Sequence, residues 1–393
     1  MKLLYKLFKL IFTRKIKFNN PERSDLLLFD DSGKDIFDNI LYTKNYSILR
    51  VRYDRIKVIY ITLDILILMI KNLHPNLFTC YLISLIKIIK PKIIITAIDN
   101  SFKFSEIAKV LHKKIVFIAV QNASRHDFDR NKRLFEIGSL KQDDNKRFFL
   151  PNYYCFGDLE EEDCKKYNIK VFKFYKIGSL RLTQYLKYLK ENKLKTNSYK
   201  YQVSLISEPS AGKDKSWKQV GVEKGCAKIA KFTIKLCVRN NLSFTFIKKR
   251  QYENLSILEM KWYREFLDEN EFNFLIKNST PVSKTSFSSY KAIHQSEISI
   301  GTHSTLLREK LALKGKILAC NFTPLQHYDF PIKGFCFLKD PSFEEFEQRA
   351  LKILKIDEKE YSTQINNAQL VRIEEDNTQY EILNKNIRKV LDQ

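Results

Sequence analysis

Glycine is the first shortage: 10 residues in 393, about a third of average usage, which argues against collagen-like, glycine-linker and many-turn all-β chains. Neither GxGxxG nor GxxxxGK[ST] occurs, so the dinucleotide and P-loop phosphate cradles are excluded. The seven cysteines, at 80, 155, 164, 226, 237, 320 and 336, contain no CxxC pair and are odd in number. Neither a zinc site nor a disulfide framework is signalled. Most sit in apolar runs such as Tyr153-Tyr154-Cys155-Phe156, where a reduced thiol is a small hydrophobe, and a reducing cytoplasm fits. Long apolar runs are missing as well. The longest, Val58 to Ile70, has 13 residues and holds Asp64, too short and too polar to span a bilayer. The expectation is a soluble or peripheral protein.

Apolar mass and positive charge are plentiful. With 44% hydrophobic and 13% aromatic residues, the chain can bury sizeable cores, and its length suggests two domains. The formal charge is +24. Residues 1–200 carry 39 basic and 21 acidic side chains, residues 201–393 only 30 and 24, so a polyanion-facing surface is expected in the N-terminal half. Part of the excess is compositional, since the whole chain is rich in Lys, Ile and Asn. Nucleic acid is disfavoured as a partner, because the aromatics fall inside predicted strands and no helix-turn-helix, zinc-finger or RNP pattern is present.

Met1 to Lys17 holds six basic residues and no acidic one, with Leu3, Leu4, Leu7, Phe8, Leu10, Ile11 and Phe12 at helical spacing. It lacks the apolar core and cleavage site of a secretory signal. A basic amphipathic helix over 1–20 either lies on an anionic membrane surface, each lysine contributing about 1 kcal/mol, or packs on its own domain.

Short β-branched runs then alternate with longer periodic stretches. Strands are predicted at 26–30, 47–51, 93–98, 115–120, 153–156, 172–177, 203–207, 244–248, 272–276, 298–301, 316–321 and 335–338. Helices are predicted at 34–42, 56–73, 77–89, 104–112, 217–238, 256–267, 288–294, 305–313 and 343–354. Continuous apolar strands such as Ile93-Ile94-Ile95 are buried on both faces, the habit of a parallel sheet flanked by helices. The fold class is α/β, as two doubly wound, Rossmann-like domains facing a central cleft. The polar stretch Leu182–Tyr201 is read as their boundary, giving domains at 21–190 and 200–393.

In open α/β sheets ligands sit beyond the carboxyl ends of the strands, so the residues there are the candidates. Asp99-Asn100 ends one strand. Asp99 there serves as general base or as nucleophile on an anomeric carbon, or else caps the next helix. Gln121-Asn122 ends the next, followed by Ala123-Ser124-Arg125-His126-Asp127. The amides of Asn100, Gln121 and Asn122 suit sugar hydroxyls, Arg125 suits a carboxylate or phosphate, and His126 and Asp127 are further catalytic candidates. Asp127-Phe128-Asp129 is a DxD, but its basic neighbours Arg125, Arg130, Lys132 and Arg133 speak against a metal site, and none is expected. Glu208-Pro209 follows the first strand of the second half, in a loop able to close over substrate.

Lys248-Lys249-Arg250 places three cations at a strand terminus, suited to phosphate or carboxylate. Gly301-Thr302-His303-Ser304-Thr305 leads a strand into a helix that opens with hydroxyls, a place for phosphate at the helix dipole. Glu309 lies four residues past Thr305, about 6 Å along the axis, which suits a ribose diol.

In this order and spacing the motifs resemble the bacterial surface carbohydrate biosynthesis proteins (lipopolysaccharide, O-antigen, capsule), which look like glycosyltransferases of the two-Rossmann, GT-B kind. The resemblance runs from Asp25 to Leu354, through Phe29-Asp30 with Gly33, Leu49-Arg50, Pro91 to Asn100, Val120-Gln121-Asn122, Phe156-Gly157 and Ile177 to Arg181. It continues through Lys249-Arg250, Ser289-Tyr290, Ser304-Thr305 to Glu309, and Asn321. Ala123 stands where such proteins usually carry glycine; alanine avoids φ > 0, so the turn there differs.

The resemblance implies a nucleotide-sugar donor held by the second domain, a glycan or lipid-linked acceptor held by the first, and no further cofactor. A more distant resemblance to transferases of Kdo-type keto sugars implies a CMP-linked donor. The alternatives are a nucleotide-sugar epimerase of the same architecture and a non-catalytic polyanion- or glycan-binding protein. The expected location is the inner face of the cytoplasmic membrane.

Overall fold

A computed structural model describes residues 14–52, 55–72, 74–124, 148–167, 169–193, 198–208, 222–249, 253–281, 287–365, 370–373 and 379–393. The chain divides into two compact units. The first holds residues up to Asn122, the stretch that ends at Gln184, and Ile373–Gln393; the second holds Ala123, Ser124 and Tyr185–Arg372.

The first unit is built on a six-stranded sheet of β2 (Leu26–Leu28), β3 (Ser47–Ile48), β5 (Ile93–Thr96), β6 (Val116–Val120), β7 (Phe149–Cys155) and β8 (Lys170–Lys176). Its order is β3-β2-β5-β6-β7-β8 and every pairing is parallel. Period-two alternation sorts the side chains. Leu27, Ile94, Phe117 and Tyr153 enter one core, and Leu26, Leu28, Ile93, Ile95 and Tyr154 enter the other. The first core is covered by α2 (Leu63–Lys71), α3 (Leu77–Ile89) and α4 (Phe102–Leu111), the second by α1 (Lys34–Ile40) and the C-terminal helix α14 (Gln379–Leu391). Helix α5 (Asp158–Lys166) connects β7 to β8. A separate parallel pair joins β1 (Lys15–Lys17) to β4 (Val58–Tyr60).

The second unit carries the five-stranded parallel sheet β10-β9-β11-β12-β13. Its strands are β9 (Tyr201–Ile206), β10 (Phe244–Ile247), β11 (Ser296–Gly301), β12 (Lys316–Asn321) and β13 (Phe337–Lys339). At its centre Ser204 and Ser299, both buried, pair hydroxyl to hydroxyl at 2.9 Å across β9 and β11. The helices of this unit include α7 (Val222–Arg239), α8 (Glu253–Arg264), α9 (Glu269–Lys277), α10 (Ser288–His294), α11 (Thr305–Ala312), α12 (Phe343–Lys355) and α13 (Glu358–Gln364). The two all-parallel sheets carry the doubly wound α/β expectation.

Several local expectations are corrected. Residues 272–276 form helix, not strand: Asp268 and Glu271 make a reciprocal capping box that starts α9, and Phe272 and Leu275 fall on its buried face. The division between units after Gln184 falls inside the stretch 182–201, but that stretch is not all polar linker: it opens within α6 (Leu180–Glu191), whose Leu180, Leu182 and Tyr185 are buried. The helix predicted over 56–73 is β4 followed by α2, with Thr62 capping the helix through Ile65 N–H. The second domain read to the C-terminus loses its last helix to the first unit. There Leu383 and Ile387 pack on Ile93 and Ile95, Asn384 donates to Ile40 O at 2.7 Å, and Lys92 Nζ donates to Leu391 O at 2.8 Å. Residues 1–13 of the helix predicted over 1–20 lie outside the described residues, and within its described part Lys15–Lys17 forms strand β1, paired with β4, rather than helix.

All seven cysteines are free and buried. Burial pushes the thiols of Cys226 and Cys237 up to about 12, so they stay protonated and inert.

Candidate functional site

Both sheets bring chemistry to their carboxyl edges. In the first unit β2 runs into Asp30-Asp31-Ser32-Gly33. Gly33 takes φ +78°, and a Cβ there would lie 2.4 Å from Ala97 Cβ, so this turn presses against the end of β5 as only glycine allows. Asp30 is buried, accepts from Ser32 N–H at 2.9 Å, and lies 3.4 Å from Arg52. Asp31 pairs with Arg55 at 2.6 Å and approaches Arg50 at 4.0 Å. Burial raises the Asp31 carboxyl, but the hydrogen bond and charge of Arg55 outweigh it and hold the group below the usual carboxylate range.

Asp99 follows β5, is buried, and accepts from Tyr153 Oη at 3.0 Å. The cap of α4 is Ser101, which accepts from Phe104 N–H. Gln121 ends β6 and is engaged on both sides of its amide. Its Nε2 donates to Glu160 at 3.0 Å and its Oε1 accepts from Phe156 N–H at 2.9 Å, while Glu160 also accepts from Gly157 N–H at 3.0 Å. These bonds tie the end of β6 to the turn between β7 and α5. Asn100 and Asn122 sit at the same edge. Arg125, His126 and Asp127 lie outside the described residues, as does Arg250 in the second unit.

The second unit gathers its candidates on three neighbouring strands, β10, β9 and β11. Glu208, two residues past β9, has a side chain only 16% exposed, and Lys249 Nζ lies 3.8 Å from its carboxylate and donates to its backbone carbonyl at 2.8 Å. Burial pushes the Glu208 carboxyl up, against the opposing pull of Lys249, the His303 backbone and the Ser304 hydroxyl. Glu259 on α8, fully buried, accepts from Lys249 N–H at 2.9 Å and from Ser207 Oγ, while Tyr263 Oη donates to Ser207 at 3.1 Å. One carboxylate thereby fixes the ends of two strands.

His303 is buried, and Ser304 caps α11. Thr305 Oγ1 accepts from Ser124 N–H at 2.8 Å. Glu309 is buried one turn further on, where it accepts from Tyr290 Oη at 2.9 Å. Asn321, at the end of β12, donates to Leu325 O and to Asp329, and accepts from Thr323 N–H and Oγ1. Among the described residues no cluster of metal-ligating side chains forms. The edge therefore offers cations, a capped helix N-terminus and a buried carboxylate within one unit.

Comparison with solved structures covers the whole chain. A variant of the wall teichoic acid polymerase TagF soaked with CDPG matches at TM-score 0.52 and 11% identity, over 100% of this chain and 98% of that one. The chain has a two-domain, Rossmann-like GT-B fold. A second TagF variant matches at TM-score 0.51 and 11% identity, over 100% and 97%. The UDP-GlcNAc 2-epimerase of Methanocaldococcus jannaschii, in complex with UDP-GlcNAc and UDP, matches at TM-score 0.50 and 13% identity over 92% of this chain and 98% of that one. No protein-family model and no curated protein matches the sequence.

Three groups that organise these edges escape a reading of strand ends: Tyr153, Glu160 and Glu259. Tyr153 and Glu259 lie inside elements rather than at their ends, and Glu160 lies in the first turn of α5. The available signal for Glu160 is its place in the first turn of a helix after Gly157, where a carboxylate reaches back to backbone N–H groups.

Proposed function

We propose that the chain is a glycosyltransferase that moves a sugar from a nucleotide-sugar donor to a surface-polysaccharide or lipid-linked glycan acceptor. The observation that carries this reading is the edge formed by β10, β9 and β11, where Lys249, the hydroxyl-capped start of α11 and the buried Glu309 fall within one unit of a GT-B fold. In this reading Ser304 and Thr305 contact phosphate with the N–H groups and dipole of α11 behind them. Lys249 and Arg250 neutralise the remaining negative charge, His303 lies beside them, and Glu309 contacts the ribose. Glu208 contacts the transferred group. Asp99 is the essential carboxylate, with Asn100, Asn122 and Arg125 on the acceptor and His126 and Asp127 beside them; Gln121, expected on the acceptor, is instead buried and held by Glu160 and Phe156 N–H, where it positions the end of β6.

CDPG in one similar structure and UDP-GlcNAc in another support a nucleotide-linked donor. A CMP-linked sugar acid fits the cations best, since it brings a carboxylate and a phosphate together.

The likeness to the archaeal UDP-GlcNAc 2-epimerase favours one second reading, epimerisation of a nucleotide sugar. The two differ in their need for an acceptor. Purified protein is incubated with CMP- and UDP-sugars, with and without a glycan acceptor extract, and free nucleotide is measured. Nucleotide release that depends on acceptor supports transfer; an epimeric nucleotide sugar formed without acceptor overturns it in favour of the second reading.

A further inference from the structure

Helix α2, Leu63-Asp64-Ile65-Leu66-Ile67-Leu68-Met69-Ile70-Lys71, is apolar around nearly its whole circumference. Its inner side buries Ile65 to 1% exposure, with Met69 packed against the same core. Its outer side carries Leu63, Leu66, Ile67 and Ile70 at i, i+3, i+4 and i+7, one helical stripe, exposed by 72%, 48%, 40% and 71%. Leu77, which opens α3, is 72% exposed, and Phe18 is 77% exposed. A surface helix ordinarily turns polar residues outward, so a contiguous apolar stripe of this kind marks an interaction surface.

The surroundings decide what meets it. β1 pairs with β4 immediately before α2, and Lys15, Lys57 and Lys71 are exposed there. In sequence, Met1 to Asn20 holds six cations and no acidic residue. Asn20 is fastened to α2, donating to Asp64 at 2.6 Å and accepting from Thr62 Oγ1 at 2.7 Å. The single carboxylate of α2 is thereby occupied by an amide. Exposed apolar side chains with exposed Lys15, Lys57 and Lys71 on the same and adjoining elements suit an anionic bilayer surface, which takes the former into its headgroup boundary and attracts the latter. A second copy would bring two basic surfaces of a +24 chain together, which like-charge repulsion opposes. Nine residues span only about 13 Å, so the helix lies in the interface and does not cross it.

We propose that the outer face of α2, Leu63-Leu66-Ile67-Ile70, docks the first unit on an anionic lipid surface. The test uses the full chain with vesicles of phosphatidylcholine alone or mixed with phosphatidylglycerol, read by co-sedimentation. Wild type is expected to partition to the mixed vesicles, and Leu63→Asp with Ile70→Asp to lose at least about tenfold of that partition. Leu63→Ser with Ile70→Ser leaves the charge unchanged and is expected to lose partition as well, with thermal unfolding like wild type because both side chains are already exposed. Partition unchanged in both variants overturns the proposal, as does a wild type that ignores mixed vesicles. A variant that converts a dimer to a monomer while vesicle binding persists overturns it too and assigns the face to self-association.

Discussion

Tyr153 donates its hydroxyl to Oδ2 of Asp99 over 3.0 Å, reaching from β7 to the turn after β5 across the width of β6. The bond fixes one carboxylate oxygen in a buried setting. It also separates two explanations of why an aspartate ends this strand, since the cap of the following helix is Ser101. Asp99→Asn keeps the size and one acceptor oxygen but removes the charge. On the catalytic account, transfer falls at least about a hundredfold while folding and nucleotide binding persist. Tyr153→Phe is expected to lose less activity and about 1 kcal/mol of stability. Initial rates and denaturant unfolding of both variants check this, and near-normal turnover in folded Asp99→Asn would sink the assignment.

Glu309 and Tyr290 form the corresponding pair in the second unit. Glu309→Ala is expected to weaken nucleotide binding by about 1 to 3 kcal/mol, the range for leaving buried polar partners unpaired. Tyr290→Phe, which leaves the carboxylate but not its orienting hydroxyl, is expected to fall between this variant and wild type. Calorimetric titration with the tightest-binding nucleotide checks both, and unchanged affinity in a folded Glu309→Ala protein removes Glu309 from the site.

Lys310 is buried, with its ammonium donating to Ile293 O at 2.7 Å and Ser296 O at 2.5 Å. Burial lowers it to about 8 from 10.5. The folded state therefore binds this proton less tightly than the unfolded chain. Its contribution is fully present above pH 10.5 and is lost as pH falls toward 8. The span corresponds to about 3 kcal/mol. Thermal unfolding of wild type and Lys310→Met at pH 8 and pH 10.5 isolates it, the expected result being a smaller gain with pH in the variant. Equal gains in both proteins would contradict the burial account.

How much of the fold and the site is legible in the sequence follows from where each signal lies. Apolar runs such as Ile93-Ile94-Ile95 announce parallel strands, and Gly301 to Glu309 announces a strand, a turn and a capped helix; both are local patterns. Asp268 with Glu271 is local too, but the β-like composition of Phe272 to Ile276 masks it. The bonds joining Tyr153 to Asp99 and Gln121 to Glu160 are 54 and 39 residues long in sequence, and only strand order brings them together. The packing of α14 on the first sheet is the extreme case: Asn384 and Ile40 are 344 residues apart, and no periodicity reveals which sheet a terminal helix covers.

Gly33 carries a structural prediction. Its positive φ and the 2.4 Å separation that a Cβ at this position would have from Ala97 Cβ act together, so Gly33→Ala is expected to destabilise the first unit by at least about 1 to 2 kcal/mol. Chemical denaturation measures it, and a midpoint equal to wild type would show that the turn has another conformation.

The most direct test of nucleotide-sugar use is thermal unfolding of the full chain against a panel of nucleoside monophosphates, nucleoside diphosphates and their sugars. A ligand at 100 times its dissociation constant adds about 2.7 kcal/mol, a clear rise in melting temperature. The account predicts that at least one nucleotide produces this rise and that Thr305→Ala together with Glu309→Ala abolishes it. A panel in which no nucleotide shifts the transition of the wild-type protein would contradict it.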